Sequence, residues 1–479
     1  MKKTQGFSAV TKLALIAWHA ISVFFLLASL AVYLVKGARA FDILISDVPH
    51  SEYYVTLLAT LIVWLLAGAF ATMLRFGMFN QDNVILWGGF FIVALVYVNL
   101  LRERVTYGDI DFYVEAALAL HKGKPLPDTY LYPLLWVSVL EIAAPLKQEG
   151  VFLLAWTLNV GALFGAYFIL AKTLRLYGFA PNLAALLTIA FMLINVPLLR
   201  TLLYGQVNLI VLDGMFLALI LYRRAPFLSA LALTVATQMK ISPLVLVFAV
   251  LLERDWRWLA WFALNMLVIG AIPVMAHGVG YYSDIFYNLN LLNERTTYIF
   301  RDTSYDSFFL ATASMLNLGA HVARPFIYAS KLIVSLLALR VAFANVRALV
   351  FFNEETRGKI LYNAAPALMI LLTVVSPRVW EHHGMFLTLP FLLLLKTLSN
   401  ETDWFLFALA SFFEFIIPTF DFYPWSYVRM IAPLVVLWLL WMASKREKDA
   451  KIFDYFNGWA NSIFTNSAQR QTFPPFSGY

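Results

Sequence analysis

The sequence predicts an all-α protein, a polytopic transmembrane bundle of about 12–14 spans with a surface amphipathic helix after the third span. Three observations point there. Of the 479 residues, 62% are hydrophobic and 13% charged, against roughly 25% charged in a soluble chain. The mean hydropathy of +0.76 excludes a soluble multi-domain protein. A dozen apolar runs reach or approach the ~20 residues that cross a hydrocarbon core, and at that length only helices satisfy their own backbone in lipid.

In chain order the runs fall at 13–35, 53–75, 84–101, 151–171, 181–198, 206–222, 256–276, 324–347, 359–376, 381–397, 402–419 and 426–444. Ala38-Arg39-Ala40 imitates a signal-peptidase site, but the run before it is too long for a signal peptide, so it reads as an uncleaved first span. Residues 225–253 read as two short helices broken at Lys240-Ile241-Ser242-Pro243, because proline ends or kinks a helix. Residues 130–147 are apolar but short, carry Glu141, and are expected to enter and leave on one side.

Basic residues orient the bundle. Lys2, Lys3 and Lys12, Lys172 with Arg175, Arg223 with Arg224, Arg357 with Lys359, and the Lys445–Lys448 tail all favour the cytoplasm. That leaves outside the segment 102–129, the Tyr204–Asn208 turn, the long loop 277–323 and the Ser376–His383 turn. The chain reads as one membrane domain, 1–451, and a cytoplasmic tail, 452–479. With no cysteine there is no disulfide and no thiolate metal site or nucleophile. The net charge of +7 fits membrane lipids and cytoplasmic loops, with no call for nucleic acid.

The outer turns hold the candidate chemistry. Asp109 precedes an apolar-periodic segment, Ile110 to Lys122, closed by Gly123, so it is expected to cap a helix lying along the membrane surface. Asp109, Asp111 and Glu115 then have two readings. They are a cap and first-turn dipole partners, or they supply a carboxylate that meets a membrane-bound substrate as a general base. His382-His383 beside Trp380-Glu381 is either an interfacial anchor or a pair serving a phosphate or a nucleophile; adjacent helical residues diverge too far to share one metal ion. Lys240, inside a bundle, must snorkel, pair or meet an anion, and phosphate fits its place at a helix break. Arg200, Gln206 and Asn208 form a further polar cluster, and the aromatic, acidic loop 277–323 suits either sugar binding or an interfacial belt.

Taken together these blocks resemble the GT-C superfamily of polyprenyl-phosphate-sugar-dependent glycosyltransferases, and within it glycosyltransferase family 87. Asp109-x3-Tyr113-x2-Ala116-Ala117 is similar to the family's Asp-x3-Tyr-x2-Ala-Ala element, and Gly123-Lys-Pro-Leu-Pro with Tyr132-Pro133-Leu134 to its Gly-x-x-x-Tyr and Tyr-Pro-Pro-Leu elements. Gly205-Gln206-Val207-Asn208, Lys240-x-x-Pro243 and Ser376-Pro377-x-x-Trp380-x-His382-His383 follow in order. Leu134 stands where the family has a second proline, and three spans precede Asp109 where the family usually has one.

The resemblance implies an integral-membrane enzyme of the plasma (inner) membrane, with its active site at the periplasmic or exterior face. It would move a sugar from a polyprenyl-phosphate donor to a hydroxyl of a glycan or glycolipid acceptor, with inversion. Asp109 would be the catalytic base and His383 or His382 the histidine that serves the phosphate. Lys240, on its physical setting and not by the resemblance, would steady the phosphate with Arg200, while Gln206, Asn208, Asp111, Tyr113 and Glu381 would line the substrates. No metal or cofactor is required on this reading. The alternative is a lipid-linked-sugar flippase or other transporter, favoured by the broken helix at 225–253 but not by any matching broken segment in the other half.

Overall fold

A computed structural model describes residues 9–36, 50–79, 83–101, 108–294, 296–351, 353–356, 359–420 and 422–446. Lys2, Lys3, Ala38-Arg39-Ala40, the first part of the 102–129 segment, Arg357, Lys448 and the expected tail 452–479 lie outside the described residues. What is described is helical throughout, with no strand.

The chain opens with α1 (Ala9–Lys36), α2 (His50–Arg75), α3 (Val84–Leu100), α4 (Asp109–His121), α5 (Leu135–Glu141) and α6 (Lys147–Leu176). The middle holds α7 (Pro181–Ile194), α8 (Val196–Leu203), α9 (Asn208–Leu221), α10 (Pro226–Met239), α11 (Val247–Glu253) and α12 (Trp256–His277). It continues through α13 (Gly280–Glu294), α14 (Tyr305–Met315), α15 (Ala320–Ala348), α16 (Ile360–Val374), α17 (Thr388–Leu394), α18 (Glu401–Ser411) and α19 (Ile431–Ala443). By length and composition five segments can cross a membrane: Leu58–Arg75, Ala144–Leu176, Trp256–His277, Ala320–Ala348 and Trp425–Ala443. The pair α7 and α8, bent by 62°, makes a sixth, and shorter apolar helices fill in between. The fold is therefore the expected all-α membrane bundle.

Local chemistry sets the breaks. Asn195 accepts from the Leu198 N–H at 2.9 Å, and Pro197 stands in the first turn of α8, so the run expected at 181–198 bends there. Helix α10 stops at Met239, as Lys240 turns extended and Pro243 opens a 3₁₀ turn, which is the expected break in 225–253. Helix α16 is buried along its length from Leu361 to Val374, as suits a helix apolar on every face at the centre of a bundle.

Three segments differ from the sequence reading. The run 381–397, expected as one span, is a 3₁₀ turn, Glu381–Leu387, followed by the short α17. His382, His383 and Gly384 interrupt its apolar period, and Pro390 limits the helix that follows. The run 402–419 ends as α18 passes into a π-turn at Phe412–Ile416. The loop 277–323 contains two helices, α13 and α14, the second opened by Ser304, whose hydroxyl accepts from the Ser307 N–H at 3.2 Å. Helix α13 also ties the loop 277–323 to the segment that follows α4: Asp284 accepts from the Leu126 N–H at 3.0 Å, and Asn288 donates to the carbonyls of Pro127 and Tyr130 at 2.9 and 3.0 Å.

Candidate active site

Helix α4 is positioned by its first turn. The cap position belongs to Gly108, not to Asp109 as expected from the sequence, and Asp109 is the first helical residue. Asp111 accepts from the Gly108 N–H at 2.9 Å, so its carboxylate closes the turn. Relieved of capping, the Asp109 side chain is left to face the interior. The helix buries Ile110, Tyr113, Val114, Ala116, Ala117 and Leu120 against α5 and α6, leaves Glu115 exposed, and stops at Gly123, whose φ is +63°.

The start of α4 docks on the turn before α9. The Ile110 N–H donates to the Tyr204 carbonyl at 2.9 Å. A Cβ at Gly108 would lie 2.9 Å from Tyr204 Cα, and one at Gly205 2.6 Å from Ile110 Cβ. Gly205 also has φ +65°. Both glycines are thus required where two backbones touch. Gly205→Ala is expected to cost about 1–3 kcal/mol and to displace Asp109 with α4. A thermal melt and a transfer assay check it; unchanged values in both would remove this role.

The next residues of that turn reach the site one by one. Gln206 accepts from the Tyr113 hydroxyl at 2.7 Å, and its amide favours the ionised form of Asp109. Val207 is buried and anchors the turn. Asn208 accepts from Lys240 Nζ at 2.9 Å. Lys240 Nζ lies 2.7 Å from His383 Nε2, and the rings of Tyr132 and Phe386 stand over it, each with its centroid 5.6 Å away. The other ring nitrogen, Nδ1, is held by the Trp380 backbone, whose N–H donates to it at 3.0 Å and whose carbonyl lies 3.2 Å away. His382 packs beside it, ring centroids 4.6 Å apart.

Electrostatics makes this cluster unusual. Burial pushes the Asp109 carboxyl above the ordinary carboxylate range; Gln206 and the Lys240 charge pull it back, and Asp111 pushes it up further. Lys240 is pushed down to about 7 by burial, with the Asp109 charge opposing. Its close partners are a neutral amide, a neutral imidazole and two aromatic faces, so its desolvation is only partly compensated. Among the described residues, Asn159 Oδ1, Asn208 Nδ2 and both ring nitrogens of His382 are buried without a hydrogen-bond partner. Buried polar atoms are seldom left so in a folded protein.

The structure thus brings together Asp109, Tyr113, Gln206, Asn208, Lys240, His382 and His383. It separates Arg200 and Glu381, which form a second network: Glu381 accepts from Arg429 at 2.7 Å and lies 3.4 Å from Arg200 Nε. Arg200 stands over the Tyr204 ring, which in turn edges His382, so one aromatic side chain divides the two groups. Asp111 belongs to the cap. Sequence reasoning passed over Tyr132 and Arg429. Tyr132 lies inside a quoted block, meets the Tyr113 ring edge-on with centroids 5.6 Å apart and stands over Lys240. Arg429 sits near the start of the last apolar run, where an arginine in a span is itself a signal.

The sequence model of glycosyltransferase family 87 matches residues 130–377, just over half of the 479. The chain belongs to glycosyltransferase family 87. Comparison with curated proteins and with solved structures gives no match. The matched region contains Arg200, Gln206, Asn208 and Lys240 but neither Asp109 nor the histidine pair. As a member of the family this membrane protein is a glycosyltransferase, with a sugar donor and an acceptor as its substrates.

Proposed function

We propose that this family 87 glycosyltransferase takes its sugar from a polyprenyl-phosphate donor and delivers it, with inversion, to a hydroxyl of a glycan or glycolipid. The observation that carries this reading is that the Tyr204–Asn208 turn gathers a half-buried ammonium, Lys240, held by Asn208 and His383, and a half-buried carboxylate, Asp109, at the start of the helix docked on Tyr204. Asp109 takes the proton of the acceptor hydroxyl as its oxygen attacks the anomeric carbon. The bond from that carbon to the phosphate oxygen breaks, its electron pair passes to the phosphate, and the Lys240 ammonium meets the charge that develops. His383 and Asn208 hold Lys240 in place, and Gln206, itself held by Tyr113, aims Asp109. The free ring nitrogens of His382 are the remaining polar groups at hand for donor or acceptor.

The active site opens on the outer, periplasmic face of the plasma membrane in this proposal. Helix α9 runs from Asn208 at the site towards Arg223 and Arg224 beyond its far end, and α16 runs from Lys359 to the Ser376 turn. Basic residues thus gather one helix length from the cluster, and the positive-inside rule places that end in the cytoplasm.

Transfer of radiolabelled sugar from a panel of polyprenyl-phosphate donors, by purified protein in EDTA, tests the donor class. Activity with one of these donors is expected; activity only with nucleotide sugars would overturn it. A pH profile follows from the two shifted groups. Asp109 works ionised, so the acid limb of kcat/KM lies above the usual carboxylate value near ~4. Lys240 works protonated, so activity falls as pH rises through about 7. Lys240→Arg, which holds its proton to a far higher pH, is expected to abolish the alkaline limb in whatever activity it retains. An alkaline limb that stays in place would assign it to another group.

A further inference from the structure

Glu381, directly before the histidine pair, is held by two guanidiniums from distant parts of the chain. Its Oε1 accepts from Arg429 Nη2 at 2.7 Å, and its Oε2 lies 3.4 Å from Arg200 Nε. Arg200 comes from α8, the helix that leads into the Tyr204–Asn208 turn, and Arg429 from the 3₁₀ turn Trp425–Met430 that opens α19. Arg429, only 4% exposed, is itself fixed: it donates to the Glu414 and Ile417 carbonyls, the first at 2.6 Å, and its Nη1 lies 3.9 Å from Glu414 Oε1. The space left among Trp380, Glu381, Glu414 and Arg429 is about 20 Å³, room for about one water molecule. The Glu381, Glu414 and Arg429 charges therefore face one another and not a substrate.

The turn they hold has little slack. A Cβ at Gly384 would overlap Glu414 Oε1 and lie 3.0 Å from Pro197 Cγ. On the other side of Trp380, Val379 is fastened to the segment between α13 and α14. Its N–H donates to Asp302 Oδ1 at 2.9 Å, and its carbonyl accepts from the Thr303 N–H and hydroxyl at 2.7 and 2.8 Å. Trp380, between these two anchors, grips His383: its N–H donates to the ring Nδ1 at 3.0 Å, and its carbonyl accepts from the His383 N–H at 2.8 Å. The far ring nitrogen, Nε2, lies 2.7 Å from Lys240 Nζ. We propose that Arg429, acting through Glu381, is a positioning residue for glycosyl transfer: the ion pair fixes where His383 stands and, through it, where Lys240 meets the phosphate. The proposal rests on the reading of Lys240 and His383 given above, and it assigns Glu381 to the scaffold rather than to the substrate wall. A buried charge-assisted contact of fixed direction suits that task, because a misplacement of about 1 Å at a reacting centre costs about 100-fold in rate.

The test is a double-mutant cycle on kcat, measured on the full chain in detergent with whichever donor supports transfer, so that it stands apart from the donor class. Glu381→Asp and Arg429→Lys keep their charges and change the reach of the contact. Each is expected to lower kcat per folded molecule by about 10- to 100-fold. In a His383→Gln background neither is expected to lower it further, because the group through which they act is already gone. Losses that multiply in full would mean that the ion pair acts by another route, and would overturn the proposal. So would an unchanged kcat with a lowered melting temperature, which makes the network purely structural. If both variants fail to fold, Glu381→Gln, which keeps the shape of the side chain and an acceptor for Arg429, takes their place in the cycle; its failure to fold also decides for a purely structural network. A His383→Gln variant as active as the wild type would remove the path together with the reading of the histidine, and so tells the two failures apart.

Discussion

Asp109→Asn is expected to lower kcat by about 100- to 10,000-fold, the range a positioned general base contributes, with the donor KM and the melting temperature nearly unchanged. The amide keeps the shape of the carboxylate and a partner for Gln206, and the removed charge is one that burial disfavours. Asp111→Asn is the internal control. It weakens the contact to the Gly108 N–H, so its effect falls on stability, by about 1 kcal/mol, with a small effect on kcat. Single-turnover transfer with both variants decides. Near wild-type rates for Asp109→Asn would move the base to another carboxylate, and a wild-type rate abolished by EDTA would bring a metal ion into the mechanism.

Lys240→Met is expected to lower activity far more than stability. Removing the cation that meets the developing phosphate charge costs about 100- to 1,000-fold in kcat, as for other preorganised electrostatic contacts. Stability changes little, since the relief of a partly desolvated ammonium is offset by the acceptors of Asn208 and His383 that lose their partner. Loss of the Lys240 charge also removes a pull that lowers the Asp109 proton affinity, so the acid limb of any residual activity shifts to higher pH. Thermal melts and pH-resolved transfer measure all three. A variant that melts far lower and retains its specific activity would make Lys240 a structural residue.

Much of the fold and part of the candidate site was legible in the chain. The apolar runs, the break at Lys240 and the stop at Gly123 follow from period, proline and glycine, which act over a few residues. Local rules also led to one error, the cap. Asp109 has the right residue type for it, yet Asp111 reaches back to Gly108, and only the three-dimensional turn separates the two carboxylates. The run 381–397 misled for a related reason: its apolar composition suits a span, but His382, His383 and Gly384 form a turn held by α8 and α9, with Thr201 donating to Met385 Sδ at 3.1 Å.

The sequence by itself determined that the protein is a helical membrane bundle with polar turns gathered towards one face, because hydrophobicity and backbone satisfaction are set residue by residue. It also marked Asp109, Gln206, Asn208, Lys240 and the histidine pair as chemistry worth explaining. The tertiary structure decided which of these share a space. Lys240 meets His383 across 143 residues of chain and Tyr113 meets Gln206 across 93, while Arg200 and Glu381 turn away to Arg429. Buried charges choose partners by distance and desolvation, and no local pattern in the chain encodes either.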